Sequence, residues 1–281
     1  MSNQSFKALR PINPFLHKYI DYYYFDEAGK KDPITRFTYF PHYKHAVTIY
    51  QGSRVKMTDL FTSSCVPSDN NFCLSYTNLV SHFARNQMHP PFRKIGIVFH
   101  PLGLNHFIKE TLSELLPTTF NADIDLFQPE IVSTLQEVFA NKSLNENVNL
   151  LDEFFIDNFI GFEEERLTKA IRLIHESPSE ISVNELSIQL GINRKTLLRL
   201  FKRHLNSSIK DYLKLIKFRN AVDLYQSTEV KGTLTHLAYD MNYNDQSEFT
   251  HHFKNLTGFS PKSFFKNLDT LSDLGTYWSN K

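Results

Sequence analysis

The strongest constraint on this fold is a pattern that occurs twice in the last third of the chain. Residues 182–203 read SVNELSIQLGINRKTLLRLFKR, and residues 234–254 read LTHLAYDMNYNDQSEFTHHFK. Leu186 in the first copy matches Leu237 in the second at a spacing of 51 residues, and the spacing becomes 52 after the turn. One extra residue in the second turn explains that change. An internal repeat this regular indicates two copies of one supersecondary unit.

Each copy predicts a helix, a tight turn and a second helix. In the first copy, Ser182 and Glu185 have the spacing of a capping box. Gly191 permits the left-handed conformation that a sharp turn requires, and Asn193 is a suitable N-cap for the second helix. Asn242 stands in the second copy where Gly191 stands in the first, and asparagine also tolerates this conformation. At the same spacing of 51, Asn244 matches the cap Asn193. The repeat therefore predicts two helix-turn-helix units.

The second helix of the first copy combines an apolar side with a basic side. Leu197, Leu200 and Phe201 have the spacing of a buried stripe. Residues 194–219 contain nine basic residues and one acidic residue, although the whole chain has a net charge of only +1. Such a run suggests a polyanionic partner, and a solvated helix face is the equally ordinary alternative. The polar side is predicted to present Arg194, Lys195, Thr196, Arg199, Lys202 and Arg203.

The segment between the two copies, about residues 208–226, predicts a single helix. Tyr212, Leu215, Ile216 and Val222 give it apolar contacts with both units. A rigid connector of this kind could place two recognition helices on one side of a DNA duplex. Successive major-groove segments on one side of a duplex lie about 34 Å apart.

These residues also carry a family resemblance, because residues 163–268 resemble the DNA-binding domain of the AraC/XylS transcription regulators. The resemblance implies two helix-turn-helix subdomains joined by a long helix. It also implies site-specific binding of double-stranded DNA, activation or repression of transcription, and RNA polymerase as a partner. Its landmarks are Leu197-x-Arg199-x-Phe201-Lys202, Asp211-Tyr212-Leu213, Asn244-Asp245-Gln246-Ser247-x-Phe249-x-x-x-Phe253-Lys254 and Gly258-Phe259-Ser260-Pro261.

The family pattern implies where the DNA contacts lie. Arginine can pair with guanine through two hydrogen bonds, and glutamine or asparagine can pair with adenine in the same way. Basic side chains also neutralise phosphates and release counterions. Base-reading positions are Arg194, Lys195, Thr196 and Arg199 in the first unit, and Asn244, Asp245, Gln246, Glu248, Thr250 and His251 in the second. Phosphate positions are Lys202, Arg203 and Lys254.

Several residues depart from the family pattern. Asn206 stands where glycine is usual after the first unit, and residues 234–236 are more polar than is usual at the start of the second. Phe265 stands where arginine is common, which questions one contact to the DNA backbone. Because the second recognition helix contains Glu248 and His251, we expect the first unit to supply more phosphate contacts.

The first 160 residues predict short strands followed by helices, which is typical of a sandwich or barrel. Turn-forming residues at 51–53 and 67–70 are expected to separate strands. Residues 95–103, IGIVFHPLG, loosely resemble a cupin-like sensor domain and imply a β-barrel with accessory helices. The expected strands are Ala46–Gln51, Val55–Phe61, Asn71–Tyr76 and Arg93–His100, and the expected helices are 103–116, 129–140 and 148–160.

We therefore predict an α+β protein with three regions. Residues 1–160 form a β-barrel or cupin-like domain with accessory helices, and residues 163–268 form an all-α domain of two helix-turn-helix subdomains joined by a long helix. Residues 269–281 form a C-terminal tail. Gly161 is the expected hinge between the domains. The first domain is expected to sense a small-molecule effector or to mediate a homodimer.

Composition excludes several other classes of protein. With 41% hydrophobic and 22% charged residues, the chain is not expected to be disordered. The sequence has no run of 18 apolar residues and no secretory pattern at its start, so we expect a cytoplasmic protein without membrane contact. Its two cysteines do not support a disulfide scaffold. We expect no enzymatic activity, no cofactor and no metal site.

Some alternatives stay open at this stage. His42 and His45 could be metal ligands, but they lack cysteine or acidic partners at zinc spacing. His82, His89, His100 and His106 belong to no recognisable motif. The rival functions are a small-molecule-binding or catalytic N-terminal domain with a secondary DNA-binding module, and a protein–protein adaptor.

Overall fold

The structure is a computed structural model in which a curled β-sheet is followed by a helical region. Within the described residues, the sheet is formed mainly by the first hundred positions, and helices make up most of the rest. The two regions are in contact. The described residues are 6–58, 62–77, 82–116, 120–127, 129–176, 181–226, 234–241, 243, 245–266, 268–270 and 278–279.

The sheet of the described residues has the strand order β1-β2-β7-β4-β5-β6-β3-β10-β9, and β8 pairs with β5. Most neighbours are antiparallel, whereas β5 and β6 are parallel. The strands are β1 (Lys7–Leu9), β2 (Ile20–Ala28), β3 (Thr35–Tyr39), β4 (His45–Met57), β5 (Thr62–Thr77), β6 (Ala84–Met88), β7 (Phe92–Phe99), β8 (Phe120–Ala122), β9 (Asp269–Thr270) and β10 (Trp278–Ser279).

The two turns predicted within this sheet are wrong. Gly52 lies in β4, where its φ of +61° accompanies a shift of the pairing register, and the strand continues beyond it. Residues 67–70 lie within β5, where Pro67 pairs with Ser53, Phe72 pairs with Gln51, and residues 68–71 lie between these two paired positions. The ladder absorbs these extra residues as a bulge, which bends a strand without ending it. Two long bent strands, β4 and β5, therefore replace the three short strands predicted between residues 46 and 76, whereas β7 agrees with the strand predicted over Arg93–His100.

The helices of the first region follow the sheet. The predicted helix over 103–116 is instead a 3₁₀ turn (Leu104–Phe107) and a short helix α1 (Leu112–Leu115), which begins at a capping box formed by Thr111 and Glu114. Helix α2 (Ile131–Ala140) agrees with its prediction. Helix α3 (Leu144–Asp157) begins four residues earlier than predicted because Ser143 caps it.

Each side of the curled sheet carries its own apolar core. On β7, Ile95, Ile97 and Phe99 face α2 and α3. Val98 faces the inside of the curl, where it joins a cluster that includes Tyr24. This alternation is the two-residue period of a strand buried on both sides. The predicted barrel-like domain with accessory helices is confirmed as a curled sheet covered by helices on one side.

Seven helices follow in the described residues of the second region. The long helix α7 has 18 residues, which corresponds to about 27 Å. Tyr212 and Leu215 on this helix join the core of the first helical subdomain, while Phe218 and Val222 join the core of the second. The helices are α4 (Glu165–Glu176), α5 (Val183–Leu190), α6 (Arg194–Leu205), α7 (Ile209–Gln226), α8 (Leu234–Asp240), α9 (Gln246–Thr257) and α10 (Pro261–Lys266).

The end of the chain returns to the sheet. Strands β9 and β10 pair with each other, and the backbone of Trp278 pairs with that of Thr38 on β3. The predicted tail thus contributes two short strands to the first region. Within the described residues, no helix combines the length and the apolar character needed to cross a membrane.

Candidate nucleic-acid interface

The first helix-turn-helix unit consists of α5 and α6, and local hydrogen bonds define its geometry. Ser182 and Glu185 form the predicted capping box, in which the Glu185 carboxylate accepts from the Ser182 amide at 2.7 Å. Gly191 ends α5 with a φ of +63°. The Asn193 side chain accepts from the Thr196 amide at 2.8 Å and caps α6. These three predictions are confirmed.

Helix α6 has the two sides that its sequence predicts. Leu197 and Phe201 are fully buried in the first helical subdomain. The basic side chains are exposed, and Thr196 is half-buried. Within the described part of the chain, no carboxylate lies within 4.0 Å of any of these cations, so their charges are available to a partner. The exposed cations are Arg194, Lys195, Arg199, Lys202 and Arg203.

One orienting residue in the first unit was not anticipated. The Arg194 guanidinium donates to the Asn184 side chain of α5 at 2.7 Å. This bond crosses the turn and holds the first cation of α6 against the preceding helix. No sequence spacing indicated it, because the contact requires the angle between α5 and α6.

The second unit consists of α8 and α9 and repeats the first with one shift. Its recognition helix is capped by Asp245, whose carboxylate accepts from the Glu248 amide at 2.8 Å. The interpretation that matched Asn244 with the cap Asn193 is therefore wrong by one residue, because the extra turn residue precedes the cap. Asn242 and Asn244 lie outside the described residues. Phe249 and Phe253 are fully buried, as the repeat predicts.

The outer side of α9 forms a shallow groove. Four of its lining residues are predicted DNA contacts, and the fifth, Ser247, was not proposed as one. The repeat contained a signal for it, since Ser247 matches Lys195 at a spacing of 52. The groove is lined by Gln246, Ser247, Thr250, His251 and Lys254.

A polar cluster packs behind α9 where the first unit is apolar. The Tyr243 hydroxyl hydrogen-bonds Nδ1 of His252, and the Lys217 ammonium lies 4.6 Å from the centre of the Tyr243 ring. Burial, followed by the charges of Lys214 and Lys217, lowers the pKa of His252 to about 4. The Glu248 carboxylate, which is exposed, interacts electrostatically with Lys217.

Two departures from the family pattern now have a structural account. Asn206 ends α6 with a φ of +49°, which is the left-handed conformation predicted for the usual glycine. Phe265 stacks on Tyr225 with ring centres 3.9 Å apart and is buried in the second helical subdomain. Its ring therefore stabilises the core, at a position where the family often uses arginine.

Three of the weaker candidates in the first region, His45 and the two cysteines, are buried, whereas His82 is exposed and the other candidate histidines are half-buried. Nδ1 of His45 lies 2.6 Å from the Tyr76 hydroxyl, and burial lowers the pKa of His45 to about 4. Cys65 and Cys73 are free and buried, and burial raises the pKa of Cys65 to about 12. Among the described residues, no three histidine, cysteine or acidic side chains come together as metal ligands would.

Comparison with known proteins identifies the helical region. The profile of a family described as a helix-turn-helix domain matches residues 186–267. This chain carries an AraC-type helix-turn-helix domain. The match spans α5 to α10 and includes both repeated units. It agrees with the resemblance carried by the sequence landmarks.

Curated relatives of the AraC-type domain are regulatory proteins. The Msm operon regulatory protein of Streptococcus mutans is 26% identical over 98 residues, which are 34% of this chain and 34% of that protein. The uncharacterized HTH-type transcriptional regulator YtdP of Bacillus subtilis is 24% identical over 175 residues, 59% of this chain and 22% of that protein. The chain spans between about a fifth and a half of the lengths of the curated relatives it matches.

Solved structures with a similar arrangement include ToxT from Vibrio cholerae. One crystal form of ToxT has a TM-score of 0.48 at 14% identity, covering 87% of this chain and 97% of that chain. The C-terminal domain of AraT from Geobacillus stearothermophilus has a TM-score of 0.35 at 23% identity, covering 39% of this chain and 90% of that chain.

Proposed function

We propose that this protein is a cytoplasmic regulator of transcription that binds specific sequences in double-stranded DNA. The observation that carries the proposal is the pair of capped recognition helices, α6 and α9, held on the single connector α7. Both present hydrogen-bonding side chains to solvent and bury their phenylalanines. Such a pair suits two successive major-groove segments on one side of a duplex.

The two helices contribute different contacts in this proposal. On α6, Arg194, Lys195, Thr196 and Arg199 read bases, while Lys202 and Arg203 bind phosphates. On α9, the side chains that line the groove read bases, except Lys254, which binds a phosphate. The Asp245 carboxylate is engaged by its own helix end, and Glu248 lies opposite Lys217. Amide and hydroxyl groups such as those of Gln246 and Thr250 then carry discrimination.

The first region acts as the regulatory part of the protein. Its curled sheet is joined to the helical region by buried contacts, so a small-molecule effector bound there would act on the recognition helices through those contacts. RNA polymerase is the proposed partner on DNA, and a homodimer is the proposed way to occupy paired sites. The AraC-type domain supports these proposed roles, and the chain is proposed to lack enzymatic activity.

The direct test is binding of the full chain to the DNA upstream of its own coding sequence, compared with scrambled DNA over a salt series. We expect selective binding that weakens steeply with salt, because phosphate contacts release counterions. The variant Arg199→Ala/Lys202→Ala is expected to lose this binding while remaining folded. A matched control is Arg36→Ala/Lys56→Ala, which removes two exposed cations from the sheet.

Equal and weak binding to both DNAs, unchanged in the α6 variant, contradicts the proposal. Catalytic turnover by the full chain that persists in that variant would instead favour an enzymatic first region. The two results are independent, since one concerns α6 and the other concerns the sheet.

A further inference from the structure

The first region inserts one buried apolar side chain into the core of each helical subdomain, and the half-buried Tyr43 and Phe83 pack against the same two cores. Leu102, which follows β7, is buried among the residues of α4 to α7 in the first subdomain. Phe40, which follows β3, is buried with α7 to α10 in the second. Leu102 is 5% exposed and Phe40 is 3% exposed. Each subdomain core is therefore completed by a residue from outside the helical region.

The turn that presents Leu102 is closely packed. Leu102 has a φ of +64°, an unusual conformation for a residue with a branched side chain. The next residue, Gly103, lies so close to Tyr19 that a Cβ atom would come within 2.0 Å of the Tyr19 carbonyl oxygen. The His100 amide donates to that same carbonyl at 2.9 Å. These contacts join the turn to the segment that precedes β2, so the first region fixes the position from which Leu102 reaches the helices.

Hydrogen bonds accompany the Leu102 contact at the end of the first recognition helix. The Asn206 side chain donates to the carbonyls of Leu112 and Leu116 at 3.0 and 2.8 Å. The Asn105 side chain donates to the His204 carbonyl at 3.1 Å. The usual glycine at position 206 could adopt the same backbone conformation but could not make these bonds. Asn206 therefore joins α6 to the short helix α1.

A second set of contacts joins the Phe40 segment to the connector. The Arg219 guanidinium on α7 donates from Nε to the Pro41 carbonyl at 2.6 Å and from Nη2 to the Phe40 carbonyl at 2.8 Å. Arg219 is 1% exposed. The Phe40 ring meets that of Phe264 edge to face, with centres 4.9 Å apart. The segment therefore contacts both the connector and the second subdomain.

We propose that Leu102 and Phe40 are positioning residues that together determine the relative orientation of α6 and α9. A single connecting helix allows the units at its ends to shift, because few contacts join one unit to the other. A contact made in one orientation and lost in others favours that orientation. Two such contacts, both made by one rigid sheet, select a single arrangement. This arrangement sets the spacing between the two DNA segments that the protein reads, an inference that rests on the proposed function.

The orientation can be measured without DNA, by pulsed electron spin resonance between two spin labels. Ile188 and Tyr239 are equivalent positions of the repeat, and they are 71% and 64% exposed, so cysteines there accept labels without disturbing a core. The native cysteines are buried. We expect one narrow distance distribution for the full chain. The Leu102→Ala/Phe40→Ala variant is expected to increase the width of this distance distribution at least twofold.

A matched control separates positioning from general loss of stability. Leu74→Ala/Phe99→Ala removes the same two side chains from the core between the sheet and its own helices. It is expected to lower the melting temperature and leave the distance distribution narrow. The conservative variant Leu102→Met/Phe40→Tyr should restore the narrow distribution. Asn206→Gly, which removes the side-chain hydrogen bonds to α1, should broaden the distribution to an intermediate width.

The DNA consequence has its own readout. The full chain is first used to select its preferred sites from random DNA. One base pair is then inserted between the two recognised segments, and the affinities for the original and the lengthened sites are compared. We expect the wild-type chain to lose at least tenfold in affinity and the Leu102→Ala/Phe40→Ala variant to lose less than threefold. Where the double variant does not fold, the milder Leu102→Val and Phe40→Leu variants provide the same comparison.

Each outcome bears on one proposal. A distribution that stays narrow in the double variant, or broadens equally in the control, overturns the positioning role of Leu102 and Phe40. Failure of the full chain to select any DNA sequence contradicts the proposed function but leaves the spin-label result to decide the orientation. Selective DNA binding with the same spacing tolerance in all variants overturns the positioning role alone.

Discussion

The two helix-turn-helix units share a scaffold and differ in what they present. Both begin their recognition helix at a side-chain cap, Asn193 in one and Asp245 in the other, and both bury a phenylalanine at the matching position. Helix α6 exposes five cations, whereas the groove of α9 offers amide, hydroxyl, imidazole and one ammonium group. Core and caps thus stay similar while the outer side chains diverge.

The two copies of the repeat can therefore contribute differently to DNA binding, one to affinity and the other to selectivity. Cations attract any phosphate backbone, so α6 is suited to supply affinity. Uncharged polar groups carry little long-range attraction but discriminate between base edges, so α9 is suited to supply selectivity. The divergence reaches behind the helix, because Leu200 of the first unit is matched by His252 of the second.

The largest expected effect tests whether the two cores are equivalent. Phe201→Ala and Phe253→Ala should each lower the free energy of unfolding by about 3–5 kcal/mol, because both rings are fully buried. Urea titration followed by circular dichroism measures this. Arg199→Ala, which is exposed in the same helix, is the control and should change stability little. A loss below about 1 kcal/mol for Phe253→Ala would mean that the second unit is not packed as the first is.

The next effect separates the charges of the two helices. Lys202→Ala/Arg203→Ala should weaken DNA binding about 10- to 100-fold and reduce the slope of log affinity against log salt by about 2, because both exposed side chains are proposed phosphate contacts. His251→Ala/Lys254→Ala should reduce that slope by about 1, because Lys254 alone is a phosphate contact. Fluorescence anisotropy over a salt series measures both. Equal slopes for the two variants would remove the proposed division of work.

A pH-dependent effect should be largest in the second unit. His252 has its pKa lowered to about 4 by burial, whereas an unfolded histidine has its pKa near 6.5. The unfolded state therefore binds more protons below pH 6.5, so the stabilising contribution of neutral His252 is complete above that pH and is lost as the pH falls towards 4. The protection factors of the α9 amides, which correct for the slower intrinsic exchange at lower pH, should fall over this range, while those of α6 change less.

His252→Leu is the matched control for the pH effect, because leucine occupies the equivalent position 200. The variant should keep α9 protected between pH 6.5 and 4. If the protection factors of the α9 amides still fall in this variant, the effect belongs to another group, such as the buried His45 in the sheet.

The smallest expected effect compares the two caps. Asn193→Ala and Asp245→Ala should each cost about 1 kcal/mol, since each side chain satisfies one backbone amide at a helix start. Thermal unfolding measures the change, and Asn193→Asp and Asp245→Asn should retain most of the stability. If Asp245→Ala leaves the stability unchanged while Asn193→Ala lowers it, the Asp245 side chain does not cap the second recognition helix.

Much of the helical region was predictable because its determinants are close in sequence. A cap acts over three residues, a turn glycine over one, and the buried stripe of α6 over a single helix. The repeat then doubled these signals, but it matched the cap Asn193 with Asn244, one residue before the Asp245 cap of the structure. Residue-by-residue DNA contacts stay predictions, because they depend on a partner as well as on the chain.

Tertiary structure decided what depends on distant residues. Whether residues 67–70 turn or bulge depended on the strands beside them, and the role of Phe265 depended on the ring of Tyr225 forty positions earlier. Leu102 and Phe40 resemble ordinary apolar residues of the first region, and only the folded chain inserts them into the helical subdomains. Local hydrogen bonds and periodicity depend on residues within one helix or strand, whereas the choice of packing partner depends on the shape of the whole molecule.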